Sequence, residues 1–196
     1  PALGDLLAYS KLLYSKPGRY LTIMRIIQKI GYPANSAAIP FMIDHASDIN
    51  SNGWEVAMTT LIEIGDPVIP EVRDALLFYS RNLDEYHDAI QGLATFLKLM
   101  GSPTIDPLLP ELLYLLEAGT DENYVDEYAL WPLRKIGSPK ADVALVQIGK
   151  IISSKRSRHI RKAAIEALMD FDHSATRFLL PVIKECLADD EEIFRK

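Results

Sequence analysis

The side chains able to do chemistry are few, and their spacing does not gather them. The histidines are His45, His87, His159 and His173. His87-Asp88 has the form of a metal-binding dipeptide, but a metal site needs several ligands converging on one point. No partner set accompanies the pair, which reads as a surface contact. Cys186, the single cysteine, follows Ile183 and precedes Leu187 on an apolar run. It reads as a small core residue rather than a nucleophile. One cysteine also excludes an internal disulfide and a cysteine-rich metal site. The chain holds no G-x-x-x-x-G-K-[ST] or G-x-G-x-x-G phosphate loop and no G-x-S-x-G elbow. Carboxylates are plentiful, yet nothing sets two of them across a cleft for acid–base work. No cofactor is implied.

Two stretches carry binding chemistry instead. In ENYVDEYALWPLRKIG, residues 122–137, Tyr124, Tyr128 and Trp131 fall at i, i+4 and i+7 and share one face of a helix. Pro132 stands inside that helix, where proline costs about 3 kcal/mol or more and bends or breaks it. Asp121, Glu122, Asp126 and Glu127 surround the aromatics. The face is either an aromatic anchor for a partner or a stripe packed under the preceding loop or a neighbouring helix. The second stretch, KRSRHIRK at residues 155–162, is cationic or histidine at all but two positions. It reads as the polar start of a helix whose arginine stems pack on a neighbour.

Charge narrows the partner class. The net charge of −6 divides into +4 over residues 1–30, −11 over residues 31–154 and +1 over residues 155–196. A surface that wraps a phosphate backbone is basic along its groove. An acidic middle disfavours nucleic acid and suits a cationic protein segment. No apolar run approaches the roughly 18 residues that span a bilayer. The start lacks the layout of a signal peptide, so a cytoplasmic location is expected; a leader removed before Pro1 fits this start equally.

The elements that must position these residues come from a repeat. IIQKIGYP, TLIEIGDP, FLKLMGSP and PLRKIGSP recur, with Gly31, Gly65, Gly101 and Gly137 spaced 34, 36 and 36 residues apart. EALMDFDHS is a fifth, degenerate copy, with Asp172 in the glycine slot and His173 as a turn residue. Four and eight residues before each turn stand Ile27 and Ile23, Leu61 and Ala57, Leu97 and Leu93, Leu133 and Ala129, Leu168 and Ala164. With the apolar residue just before the turn, this is one helical face. Glycine ends each helix, and the proline two residues on starts the next. A second apolar helix follows each turn, and strand signals are missing.

These corners, TLIEIGDPVIP above all, and the basic helix start RHIRKAAIEALMDF resemble the HEAT repeat family in its short bacterial form. The resemblance implies an all-α, right-handed solenoid of about five helix pairs with B helices lining a concave face. The units are approximately residues 17–48, 52–82, 84–118, 121–154 and 157–190 of a single domain, 1–196, with residues 1–16 as a capping helix. HEAT-like deoxyhypusine hydroxylases carry repeated His-Glu pairs for iron. None of the four histidines here precedes Glu, so that activity is not expected.

Aligned on the turn, Trp131 matches Arg25, Thr59, Thr95 and Glu166, all polar, whereas Trp54 falls on the buried stripe. On the B helices, burying Ile69, Val72, Leu76 and Tyr79 turns Glu71, Asp74 and Phe78 outward. Phe41 and Asp44 match them in the first copy, and Glu111 and Tyr114 in the third. The expected function is a non-enzymatic module that binds a partner protein or peptide with basic segments. It would bind through this acidic, aromatic-pointed groove or through Tyr124, Tyr128 and Trp131. The alternatives are an enzyme resembling HEAT-like bilin lyases, acting on a tetrapyrrole-bearing protein, and a nucleic-acid binder.

Overall fold

The computed structural model describes residues 17–189, together with Gly4, Asp5 and Ala8; those residues contain helices and no strand. The expected capping helix over residues 1–16 otherwise lies outside the described residues. So does the polar tail beyond Asp189. No helix among the described residues is long and apolar enough to cross a membrane.

The first helix of each copy appears as α1 (Pro17–Ile30), α3 (Trp54–Ile64), α5 (Leu83–Met100), α7 (Val125–Ile136) and α9 (Arg158–Ala167). The second helices are α2 (Ile39–Ser47), α4 (Ile69–Tyr79), α6 (Leu109–Ala118), α8 (Leu145–Ile152) and α11 (Leu180–Asp189), with the short α10 (His173–Thr176) ahead of the last. The ten residues four and eight places before the turns are all buried. The place just before the turn is less uniform: Ile136 and Phe171 are buried, but Ile30 is 41% exposed. That residue closes its helix at the edge of the stripe, where the neighbouring layer no longer covers it.

The corners use two backbone routes where the sequence shows one. Gly31, Gly65, Gly101 and Gly137 all adopt positive φ, 61 to 75°, which glycine does without a Cβ penalty. After Gly65 the chain enters the 3-10 turn Asp66–Val68 at once, and α4 follows. After the other three glycines it takes four more residues, through a cis X-Pro bond at Pro33, Pro103 and Pro139. In these, Asn35, Ile105 and Ala141 each donate a backbone N–H to the glycine carbonyl and are buried. Pro67 is therefore the structural counterpart of Pro107, in the matching 3-10 turn Asp106–Leu108, not of Pro103. The prolines that open the second helices are Pro40, Pro70 and Pro110, in the first turn of their helices. Their missing N–H is one the helix would leave unpaired there anyway.

The fifth corner departs further. Asp172 keeps an ordinary φ of −60° and caps α10, its side chain accepting the Ser174 N–H. His173 is thus the first residue of a helix rather than a turn residue. Without glycine, the chain leaves α9 through the 3-10 turn Leu168–Asp170 instead of a left-handed residue.

By backbone contacts the chain groups into two compact units, Pro1–Met100 and Gly101–Lys196. The division falls inside the third copy, between α5 and α6. In the first unit α1 packs on α3, α3 on α5 and α2 on α4, while α2 also meets α3 and α5. Gly92 makes the last contact possible. A Cβ there would lie 2.5 Å from the Ser47 carbonyl oxygen and 2.6 Å from that of Ala46. In the second unit α7 packs on α6 and α9, and α8 on α6, α9 and α11. Polar links there join residues 34 to 37 apart, one copy length: Lys140–Asp106, Arg134–Asp170, Arg156–Asp121 and Asp172–Ser138 among them.

Candidate functional site

Helix α4 buries Ile69, Val72 and Leu76 at 6% exposure or less, so residues offset from that stripe face outward. Glu71, Asp74, Ala75 and Phe78 form the outward row. Helix α2, one copy earlier, sets Pro40, Ile43 and Asp44 opposite them. Together with Tyr79 these residues line a groove of about 400 Å³, within the range of ligand-binding clefts. Its walls are apolar and its charges all negative. Asp44, Glu71, Asp74 and Phe78, expected from sequence as outward residues of two copies, therefore meet in one place.

The rings at the groove's end form a cluster. Phe78 lies 5.6 Å from Tyr79 and 5.5 Å from Tyr86, and Tyr79 lies 5.3 Å from Tyr86, centroid to centroid. These are ordinary ring-packing distances. Phe78 nevertheless stays 51% exposed. The Tyr79 hydroxyl donates to Ser47 Oγ at 3.4 Å. Burial pushes its pKa up, the Ser47 bond pulls it down and the Asp44 charge pushes it up again. Tyr79 is half-buried and belongs to the groove, not to the core as the helical spacing suggested. Adjacent residues on a helix stand 100° apart, so Phe78 and Tyr79 flank one edge of the stripe.

One carboxylate oxygen in the groove is poorly provided for. Glu71 Oε2 is shielded from solvent and has no hydrogen-bond donor among the described residues. A buried acceptor without a donor costs about 1–3 kcal/mol. Phe41 sits on α2 but packs edge-on to His45, with centroids 4.7 Å apart, and does not line the groove. In the second unit, Glu111 is half-buried on α6 and Tyr114 is exposed.

The aromatic stretch is built differently from its sequence reading. Tyr124 is not on a helical face: it is the residue before α7 and has a left-handed φ of 56°. The i, i+4, i+7 relation therefore fails at its first member. Asn123, buried, holds the bend; its Oδ1 accepts the N–H groups of Thr120 and Val125. Pro132 neither breaks nor ends α7, which runs on to Ile136. Its slot is buried in four copies, by Pro132, Thr60, Phe96 and Ala167, whereas Ile26 of the first copy is 41% exposed. Tyr128 and Trp131 are half-buried, with rings 5.2 Å apart. Trp131 joins Glu127, His159, Lys162 and Glu166 around a small cleft of about 140 Å³ between α7 and α9. Trp54 is likewise half-buried rather than core.

The acids around this stretch meet the basic run. Arg156 lies 2.9 Å from Asp121 Oδ1 and 2.8 Å from Asp126 Oδ2, and donates to the Gly119 carbonyl at 2.9 Å. Asp126 is fully buried; burial raises its pKa while Arg156 pulls it back down. His159 pairs with Glu127 at 2.9 Å, and Arg161 contacts the buried Cys186. Arg156 thus packs on the preceding copy, whereas Arg161 contacts a residue of its own copy. His87 and Asp88 form their surface pair at 3.3 Å. Among the described residues no three His, Cys, Asp or Glu side chains are grouped to hold a metal ion. Compared with known proteins, the chain matches no family model, no curated protein and no solved structure.

Proposed function

We propose that this chain is a HEAT-like α-solenoid that acts without catalysis, binding a partner protein through the face of its second helices. The observation that carries the reading is the groove of Asp44, Glu71, Asp74 and Phe78, apolar in its walls and acidic in its charges. It suits a segment that brings apolar side chains and positive charge together. The solenoid arrangement is supported by the recurring corners and by polar links one copy length apart. The aromatics of α7 are the weaker candidate, because Tyr128 and Trp131 are half-buried and Tyr124 stands off their face.

The test compares three immobilised proteins in a lysate capture, each first checked for helix content by circular dichroism. These are the wild type, Asp44→Lys/Glu71→Lys/Asp74→Lys, and Tyr124→Ala/Tyr128→Ala/Trp131→Ala. Wild type and the aromatic variant are expected to retain a protein that the charge-reversed variant loses. Retention by the charge-reversed variant with loss by the aromatic one would move the interface to α7. No specific retention by any of the three would overturn the binding reading.

A further inference from the structure

The chemistry of the groove can be read more finely, on the footing of that proposal. Three features bear on what kind of cation enters. The walls contributed by Pro40, Ile43 and Ala75 are apolar, so an entering group must shed water. A compact ammonium is strongly hydrated; a planar guanidinium is less so, and pairs with carboxylates through two parallel N–H donors. The carboxylates come from both sides, Asp44 on α2 and Glu71 and Asp74 on α4. Among the described residues no cation forms an ion pair with Glu71 or Asp74, and Glu71 Oε2 lacks a donor.

The third feature is the ring cluster. Phe78, Tyr79 and Tyr86 touch one another at 5.3–5.6 Å. They leave no gap for a cation between them, so they are not a cage for a methylated ammonium. What they present is the half-exposed ring of Phe78, beside the carboxylates. A guanidinium stacks on such a face, and its neighbours hold the ring in place. Glu71 to Phe78 is seven residues of helix, about 10 Å. Side chains two apart in an extended segment are spaced roughly 7 Å, so the groove has room for one arginine and one apolar neighbour on the same side.

We infer that the groove between α2 and α4 selects arginine over lysine, taking an extended partner segment in which an arginine and an apolar residue stand two places apart, on the same side of the chain. The guanidinium lies on Phe78 and is held by Asp74 and Asp44; the apolar side chain sits on Pro40, Ile43 and Ala75.

Fluorescein-labelled hexapeptides in which leucine, arginine and leucine are separated by single serines, and the same peptide with lysine or citrulline in place of arginine, test this by fluorescence anisotropy. The arginine peptide should bind about tenfold more tightly than the lysine peptide, and the citrulline peptide should not bind. Phe78→Leu, which keeps the apolar surface and removes the ring, should reduce that preference to less than about twofold. Asp74→Asn should weaken both charged peptides, and Met169→Ala, in the other unit and 82% exposed, should change neither. Equal binding of arginine and lysine peptides, weakened alike by Asp74→Asn, would overturn arginine selectivity while leaving the acidic groove as the binding face. Binding that neither Phe78→Leu nor Asp74→Asn alters would remove the groove itself, and with it the site named in the proposed function. Binding of no peptide would overturn the inference of an arginine and an apolar residue on one side of an extended segment, and the lysate comparison would still judge the parent reading independently.

Discussion

Acidic residues are put to opposite uses in the two units. In Gly101–Lys196, Asp106, Asp121, Asp126 and Asp170 each meet a cation one copy or nearly so along the chain: Lys140, Arg156, Arg156 and Arg134. Those acids hold copies in register. In Pro1–Met100, Asp44, Glu71 and Asp74 gather around an open groove, and no described cation pairs with the latter two. Residue type is the same in both places. What separates Glu71 and Asp74 from those structural acids is that no described cation in the next copy pairs with them.

The sharpest way to break that contrast is to remove the counter-ion where it matters most. Arg156→Ala leaves Asp126 buried without its partner. Losing one member of a buried pair costs about 3–5 kcal/mol, to be read from urea unfolding at pH 7. The pH dependence carries the sign. Asp126 already has a raised pKa from burial, and without Arg156 it rises further. A carboxyl that binds its proton more tightly when folded loses stability as pH rises and regains it as pH falls. The Arg156→Ala defect should therefore shrink toward pH 4, and Arg156→Ala/Asp126→Asn should recover most of it at pH 7. A defect independent of pH would mean that Arg156 acts through packing alone.

Packing sets the next effect. Gly92→Ala places a Cβ 2.5 Å from the Ser47 carbonyl, against backbone that cannot rotate away. Overpacking of this kind costs about 1–3 kcal/mol. Because α2 carries Asp44 as well as Ser47, this variant should also weaken peptide binding in the anisotropy assay. Full stability in Gly92→Ala would show that α2 and α5 are free to separate.

His45 tests the same helix by titration. It is buried, near the Phe41 ring and 3.2 Å from Ser51 Oγ. Burial lowers its pKa to about 4, against a smaller upward pull from Asp48. Unfolded, the imidazole titrates near 6.5. Its contribution is fully present above pH 6.5 and is lost as pH falls from there toward 4, because the unfolded chain takes up the proton first. The urea midpoint should decline across that window, and His45→Gln should flatten the decline. An unchanged slope in His45→Gln would assign the decline to carboxylates instead.

Much of this was legible in the sequence for one reason: a repeated stripe must be buried repeatedly. The slots four and eight residues before each turn obey the pattern from Ile27 to Leu168 because each copy needs the same face covered. The corners misled because Gly-x-Pro is spelled alike along two backbone routes, and the four added residues show only when DPVIP is set against DPLLP rather than GDP against GSP. Tyr124 misled because helical spacing presumes helical φ, which Asn123 denies it. The groove was half legible. Outward direction follows from one helix, but depth needs the neighbouring copy, so Pro40, Ile43 and Tyr79 could not be read from α4 alone. The Arg156–Asp126 pair had no signal, since a buried carboxylate and an exposed one are written with the same letter.

The smallest expected effect decides whether the opening contrast holds. Asp44→Asn/Glu71→Gln/Asp74→Asn removes all three groove charges while preserving shape. Asp44 and Asp74 are exposed, where repulsion between like charges is screened by water, and substitutions at such sites usually stay within about 0.5 kcal/mol each. The neutralised protein should unfold within about 1 kcal/mol of wild type yet lose the arginine peptide. Asp126 cannot behave so, because its removal leaves Arg156, whose side chain is 19% exposed, without its buried partner. A loss of several kcal/mol, comparable to Arg156→Ala, would place the groove acids in the same class as Asp126. The groove would then be a seam between copies whose charges serve the fold, and the binding surface would have to be sought on another face.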